Sequence, residues 1–286
     1  MDKFIVSVII PVYNAEKFLY QSVVSAVHLE EVGEIILVED KSPDNSLEIC
    51  NVLEKQFDKV NLFRHPNEEN RGAGASRNLG IEKSSCKFIA FLDADDWYLS
   101  NRFEVEKELF LNNDVDGVYG ATGFYLQGKG MTENKLTTFK EKISPRQLLS
   151  KMSKSEGRFT TNAITLRKEI FNKSGLFDTS LKLHQDTHLW YRLAHFGNLV
   201  AGNIGTAIAV RRVHPDNRIK GKNTKSRILF HKAVFNDFIN YKDVDKRAMK
   251  IIVNRYIHSI SSGPINKMFN YVSILLRYPH IIKIYL

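Results

Sequence analysis

Four short apolar runs alternate with helical-period segments over the first 92 residues, and this alternation narrows the fold more than any other feature. Phe4-Ile5-Val6-Ser7-Val8-Ile9-Ile10 is nearly continuous and β-branched, the signature of a strand buried on both faces of a parallel sheet. Pro11 is expected to stop it. Ala15 to His28 then carries apolar residues at helical period, and the same grammar repeats with strands at Glu34–Val38, Val60–Arg64 and Lys87–Leu92, separated by a helix ending near Gln56 and another ending near Glu82. Strands alternating with helices at this pitch imply right-handed βαβ crossovers, hence an α/β fold of three layers, α/β/α, around a mainly parallel sheet.

Beyond Gly120 the pattern loosens. Gln127-Gly128-Lys129-Gly130 reads as a hairpin or a mobile loop, Thr160 to Leu166 as a strand, Gln185 to Phe196 as an amphipathic helix and Ala207 to Val213 as the last strand. Helical patterns follow at Lys225–Tyr241, Lys246–Ser262 and Ile265–Leu276, with Gly263-Pro264 breaking the last two apart. The expected organisation is a catalytic domain over 1–217 and a basic helical extension over 218–286.

The fourth strand ends in Asp93-Ala94-Asp95-Asp96, three carboxylates within four residues. Carboxylates this close raise one another's pKa values, so a cation is the usual reason to keep them together, and oxygen ligands select Mg²⁺ or Mn²⁺. Such ions take phosphate oxygens as further ligands, which points to a nucleotide diphosphate. A solvated acidic turn is the alternative for the short motif alone. Ligands of open α/β sheets collect at the carboxyl ends of the strands, where Tyr13-Asn14, Glu39-Asp40 and the Asp93 cluster all lie. No Gly-x-Gly-x-x-Gly follows the first strand and no Gly-x-x-x-x-Gly-Lys-Ser/Thr loop occurs, which argues against a dinucleotide-dependent dehydrogenase and a P-loop NTPase.

Charge is divided along the chain. From Arg211 onward there are sixteen Lys and Arg against four Asp and Glu, whereas the preceding residues hold twenty-five against twenty-eight. The basic segment suits an anionic membrane surface or an acidic substrate, or is simply a solvated helical surface; no nucleic-acid-binding motif accompanies it. No run reaches the ~18 apolar residues of a membrane span, and Met1-Asp2-Lys3 has no signal-peptide pattern, so a cytoplasmic location is expected. Cys50 and Cys86 stand apart without metal-ligand or redox spacing and read as reduced thiols.

Together, Pro11-Val12-Tyr13-Asn14, Val38-Glu39-Asp40-Lys41-Ser42-Pro43-Asp44, Asn70 through Gly80 and Asp93-Ala94-Asp95-Asp96 resemble the motifs of the inverting family 2 glycosyltransferases, whose nucleotide-sugar-binding fold is called GT-A. The resemblance is strong over about the first 120 residues and continues weakly to roughly residue 217. It implies a nucleotide-sugar site formed by Pro11, Val12, Tyr13, Asn14, Asp40, Gly72, Arg77, Asp93, Ala94 and Asp95. Asp40 would accept the imide N–H of a uracil, a UDP-sugar being the expected donor, and is alternatively an Asx-turn cap. Gly72 and Gly74 would allow close backbone approach, and Arg77 would hold the loops or reach a phosphate. Asp93 would face the ribose or the metal's water shell, Asp95 would coordinate the Mn²⁺ or Mg²⁺, and Asp96 would support it or bind the sugar. His214, within Arg211–Asn217, would be a third metal ligand or a donor to the diphosphate. Glu39 stands where the family more often has Asp, and Lys41 where it often has Gly.

The resemblance also implies a base, the Asp of a Glu-Asp pair opening a helix with an Arg further along it. Asp186 and Arg192 match in Gln185-Asp186-Thr187-His188-Leu189-Trp190-Tyr191-Arg192, but Gln185 replaces the Glu and removes a charge beside the base. Helix capping is the alternative role for Asp186. Trp97 and Trp190 would stack on a sugar or simply pack. The implied activity is metal-dependent inverting transfer of a hexose or N-acetylhexosamine from a nucleotide sugar to a saccharide or lipid-linked saccharide in surface-glycan assembly. A non-catalytic nucleotide-sugar-binding scaffold is the competing reading. The apolar, Arg- and Lys-dotted tail Ser273 to Leu286 is expected to lie in a membrane interface or to dock on the catalytic domain or a homodimer partner.

Overall fold

The computed structural model describes residues 3–132, 135–215 and 223–285. The strands are β1 (Val6–Val12), β2 (Val32–Glu39), β3 (Val60–Arg64), β4 (Phe88–Phe91), β5 (Trp97–Tyr98), β6 (Gly117–Tyr119), β7 (Ala121–Leu126), β8 (Gly130–Met131), β9 (Ile164–Arg167), β10 (Leu199–Ala201) and β11 (Ala207–Val213). The helices are α1 (Leu19–Val27), α2 (Ser46–Gln56), α3 (Gly72–Lys83), α4 (Glu104–Leu109), α5 (Pro145–Lys154), α6 (Phe171–Ser174), α7 (Gln185–Phe196), α8 (Thr224–Phe238), α9 (Lys246–Ile260), α10 (Pro264–Arg277) and α11 (Ile282–Tyr285).

A seven-stranded sheet runs β10-β6-β9-β4-β1-β2-β3 and is parallel except for β9, which lies antiparallel to both β4 and β6. The expected three-layer, mainly parallel α/β fold is what forms. Alternate residues of the central strands feed two cores. Val8, Ile10, Ile35 and Leu37 pack with Leu19, Val23 and Leu53 of α1 and α2, while Ile9, Ile36, Val38 and Phe91 join Ile81, Leu189 and Trp190 of α3 and α7. Burial of both faces explains why these strands read as unbroken apolar runs. Helix α3 sits so close to β1 that a Cβ at Gly80 would lie 2.3 Å from Ile9 Cγ2. A smaller sheet, β5-β11-β7-β8, stands beside the site.

Pro11 does not stop β1, which continues to Val12 paired with Glu39. The Ile9 carbonyl accepts the Leu92 N–H, so Pro11, two residues on, turns its missing donor towards β4, whose pairing has already ended at Phe91. The absent N–H therefore costs no ladder bond. The segment expected as a strand from Thr160 begins instead as a 3₁₀ turn, Thr161–Ala163, before β9.

The expected boundary at 217/218 falls within 216–222, outside the described residues. Phe230, Val234, Phe235 and Phe238 of α8 and Ile252, Val253 and Ile257 of α9 belong to the same core as Trp190 and Leu193 of α7. His188 Nε2 of α7 lies 3.0 Å from Asp237 Oδ2 of α8. Cys50 is buried, which pushes its thiol up to about 12 and leaves it protonated and unreactive at neutral pH.

Candidate active site at the carboxyl edge of the sheet

The loops after β1, β2 and β4 meet at one rim. After β1, Asn14 takes a left-handed backbone (φ +52°) and its N–H donates to Ser42 Oγ at 3.2 Å; after β2, Lys41 is also left-handed (φ +58°). Each non-glycine residue there costs about 1–2 kcal/mol of backbone energy. The surrounding bonds offset it: the Ser42 N–H donates to Glu39 Oε1, whose other oxygen receives Arg64 Nε at 3.0 Å. Burial works to raise the Asp44 carboxyl, but the Ser46 hydroxyl and the Glu16 and Ser46 N–H groups all donate to it and hold it below the usual range.

Asp40 is buried and binds the Gly-rich element directly. Its two oxygens accept the N–H groups of Arg71 (2.7 Å) and Gly72 (2.8 Å), and its carbonyl accepts Asn70 Nδ2 at 2.7 Å. Asp40 thus caps the entry to α3, where Gly72 is left-handed (φ +83°), and any base recognition shares the carboxylate with this anchoring role. Of the other rim residues, Tyr13 is exposed and Pro11 half-buried, whereas the Val12 and Ala94 side chains are buried. Val12 serves the rim through its carbonyl, which accepts the Asp40 N–H, and not through a side chain facing a ligand.

In the acidic loop each carboxylate has a different partner. Asp93 Oδ1 accepts Arg77 Nη2 at 2.6 Å. Asp95 Oδ2 lies 3.1 Å from His214 Nε2. Asp96, equally deep in the protein as any core residue, accepts the Arg212 N–H at 2.7 Å and Asn162 Nδ2 at 2.5 Å. Burial first, and neighbouring carboxylates second, raise the Asp95 carboxyl above its usual range and the Asp96 carboxyl well above it. Arg212 lies over the rings of Phe18 (4.7 Å) and Trp97 (4.8 Å), and His214 packs 4.8 Å from Phe18, so β11 and α1 close one side of the loop.

The three expected metal donors do not form one cage. No group of three His, Cys, Asp or Glu side chains suited to a metal occurs among the described residues. Asp93 is turned to Arg77 instead, because a fixed guanidinium lies within charge-assisted bonding distance. Asp95 and His214 remain as a facing pair, an oxygen and a nitrogen donor that fit a Mn²⁺ or Mg²⁺ taking its other ligands from a diphosphate and water.

The element bearing Asp186 reaches the rim through α3. A Cβ at Gly74 would lie 2.6 Å from Gln185 Oε1, so the start of α7 seats its Gln185 side chain directly against the first turn of α3. His184 enters α7 in a left-handed conformation (φ +65°), and the half-buried Asp186 follows in the first turn, its Oδ1 accepting the Thr187 N–H at 2.7 Å. His184, not Asp186, occupies the cap position. Arg192 donates to the carbonyls of Ser174 (2.7 Å) and Leu176 (2.6 Å) around left-handed Gly175, while Asn78 exchanges two 2.9 Å bonds with the backbone of Phe177. These bonds lock α3, α7 and the 175–178 turn together. Trp190 is fully buried in the core and cannot meet a sugar; Trp97 is half-buried beside Arg212.

Asn162 escaped the sequence reading. Its Oδ1 accepts the Asp93 N–H at 2.9 Å while its Nδ2 donates to Asp96, so one buried amide sets the shape of the acidic loop. It lies 66 residues from Asp96 on the strand-leading turn, and no local spacing marks it.

Comparison with known proteins agrees with this geometry. The family described as "Glycosyl transferase family 2" matches residues 7–175. An uncharacterized glycosyltransferase of Haemophilus influenzae is 36% identical over 151 residues, covering 52% of this chain and 58% of that protein. The Escherichia coli UDP-Glc:alpha-D-GlcNAc-diphosphoundecaprenol beta-1,3-glucosyltransferase WfgD is 32% identical over 146 residues, covering 48% and 56% respectively. The chain therefore spans little more than half the length of these two relatives. The crystal structure of S. aureus TarS 1–349 in complex with UDP-GlcNAc shares the fold at TM-score 0.66 and 16% identity, covering 90% of this chain and 72% of that one.

Proposed function

The chain belongs to glycosyl transferase family 2, and from that premise we propose that it moves a hexose or N-acetylhexosamine from a UDP-sugar to a saccharide or lipid-linked saccharide acceptor with inversion, in cell-surface glycan assembly. The observation that carries this reading is the meeting, at one sheet edge, of the Asp40-capped α3 entry, the Asp93–Asp96 loop and the start of α7 with Asp186. UDP-Glc in the name of WfgD and UDP-GlcNAc bound to TarS support the donor class, and the diphosphoundecaprenol acceptor in the WfgD name supports a lipid-linked acceptor.

In this reading Asp186 accepts the proton of the acceptor hydroxyl as that oxygen attacks the anomeric carbon, and a single base suffices for inversion. Asp40 and the backbone of the α3 entry receive the nucleoside. Arg77 holds Asp93 towards the ribose side, and Asn162 keeps Asp93 and Asp96 in register. Asp95 and His214 would hold the Mn²⁺ or Mg²⁺. The chemistry such an ion supplies is neutralisation of charge on the departing nucleoside diphosphate. In this reading a lipid-linked acceptor would bring the enzyme to a membrane surface.

Asp186→Asn tests the base. Turnover of a UDP-sugar with a saccharide acceptor should fall by roughly 10²–10⁴-fold while calorimetric UDP affinity stays the same. Full turnover by the variant would remove Asp186 from the reaction. A scaffold without activity, the reading that Gln185 favours, predicts instead that wild type binds UDP and transfers nothing across a broad acceptor panel.

A further inference from the structure

The sequence alone offers Ser273–Leu286 either as a membrane-contacting tail or as a segment docked on the domain or on a partner copy. In the structure part of this segment packs on the domain, and the longest exposed apolar row begins upstream of it. Ile274 is buried in the core and Tyr271 and Leu275 pack against it, so the inner side of α10 is fixed to α9, while Tyr278 and Ile281 just beyond the helix join the same core. The opposite side is bare: Ile265, Met268, Phe269, Val272 and Leu276 are 71%, 61%, 67%, 51% and 78% exposed. Their spacing of three, one, three and four residues draws one apolar stripe along the helix, about 17 Å long at 1.5 Å per residue. Exposed apolar side chains in such a contiguous row mark an interaction surface.

We infer that this face of α10 seats the protein on an anionic lipid surface, the helix lying in the plane of the headgroups. Charge decides the occupant. From Lys246 to the end of the sequence there are seven Lys and Arg and not one Asp or Glu. A second copy pairing through this face would bring the same positive field against itself, whereas anionic headgroups complement it, each nearby Lys or Arg adding attraction. Among the described residues no helix is long and apolar enough to cross a membrane, so the stripe lies on the surface and does not span it. The inference rests on the proposed location at a membrane, not on the transfer chemistry.

The full chain, without donor, is sedimented with vesicles of phosphatidylcholine alone and of phosphatidylcholine with about one-third phosphatidylglycerol. Wild type should bind the anionic vesicles at least about tenfold more tightly, with binding weakened by added salt. The double substitution Phe269→Glu and Leu276→Glu, both at exposed positions, should lower that binding about tenfold or more at an unchanged melting temperature. Equal binding by variant and wild type, or equal affinity for neutral and anionic vesicles, would overturn the inference. So would a wild-type dimer in analytical ultracentrifugation that the double variant dissolves while neither protein binds vesicles. Transfer to a soluble saccharide, measured on the same preparations, separates this outcome from failure of the glycosyltransferase reading.

Discussion

Glu106 and Asp96 are buried to the same degree, 2% and 3% exposed, yet they are treated in opposite ways. Glu106 meets Arg102 Nη1 at 2.5 Å and the Thr165 hydroxyl, and Arg102 is itself fully buried with its other nitrogen on Ile164 O and Thr165 Oγ1. Asp96 accepts a backbone N–H and an amide, both neutral, with Asp95 and Asp93 beside it. Burial raises both carboxyls, but only Glu106 has a cation built in to oppose the shift. The charge that serves the fold is compensated inside the fold. Asp96 at the rim is held by neutral donors and gathered next to like charge, an arrangement suited to a cation arriving with a ligand.

The largest effect that would break this comparison is at Arg102. Arg102→Met should cost about 3–5 kcal/mol in urea unfolding because it strands a buried carboxylate, and adding Glu106→Gln should recover much of the loss. A cost for the single variant no larger than a surface substitution would mean that Glu106 is not charge-compensated at all. Next in size is Asn162→Ala, which removes one donor and one acceptor from the acidic loop. It should lose about 1–3 kcal/mol of stability and about tenfold or more in kcat, with UDP affinity changed little.

Asp95→Asn sharpens the contrast from the other side. Relief of carboxylate repulsion should raise the melting temperature of metal-free protein by about 2–4 °C, while transfer falls by about 10²-fold. Lower stability in that variant would show that the rim carboxylates support the fold. The smallest effect lies away from the rim, at His231 on α8, whose ring is pushed down to about 4 by burial and then by Arg255, Arg227 and His184. The unfolded chain takes up this proton near 6.5 and the folded chain does not until about 4, so stability should decline as pH falls across that window. His231→Gln should flatten this part of a melting-temperature profile by a degree or so, about what one partly exposed group supplies.

Much of the catalytic half was legible in the sequence because its information is local. A strand buried on both faces must be continuously apolar, a loop at its carboxyl end must be polar, and Asp40 and Asp93–Asp96 stand within a few residues of such strand ends. Pro11 misled because its cost depends on which neighbour its missing donor faces, a fact of sheet pairing and not of composition. The bond between Asp93 and Arg77, 16 residues away, was not legible because the two meet only after α3 has docked. Trp190 could be placed on its helix but not on a face, since its neighbours Phe159 and Phe177 come from separate segments.

Periodicity alone dictated the α/β layers, the rim and the basic, acid-free C-terminal stretch, since each is a pattern of adjacent residues obeying the geometry of one element. Tertiary packing decided the rest. It brought Asn162 under the acidic loop, seated Gln185 against Gly74, and turned Ile274 inward so that Phe269 and Leu276 face out. These are contacts between elements far apart in the chain, and whether a helix buries one side or the other depends on the neighbour that reaches it first with a complementary surface.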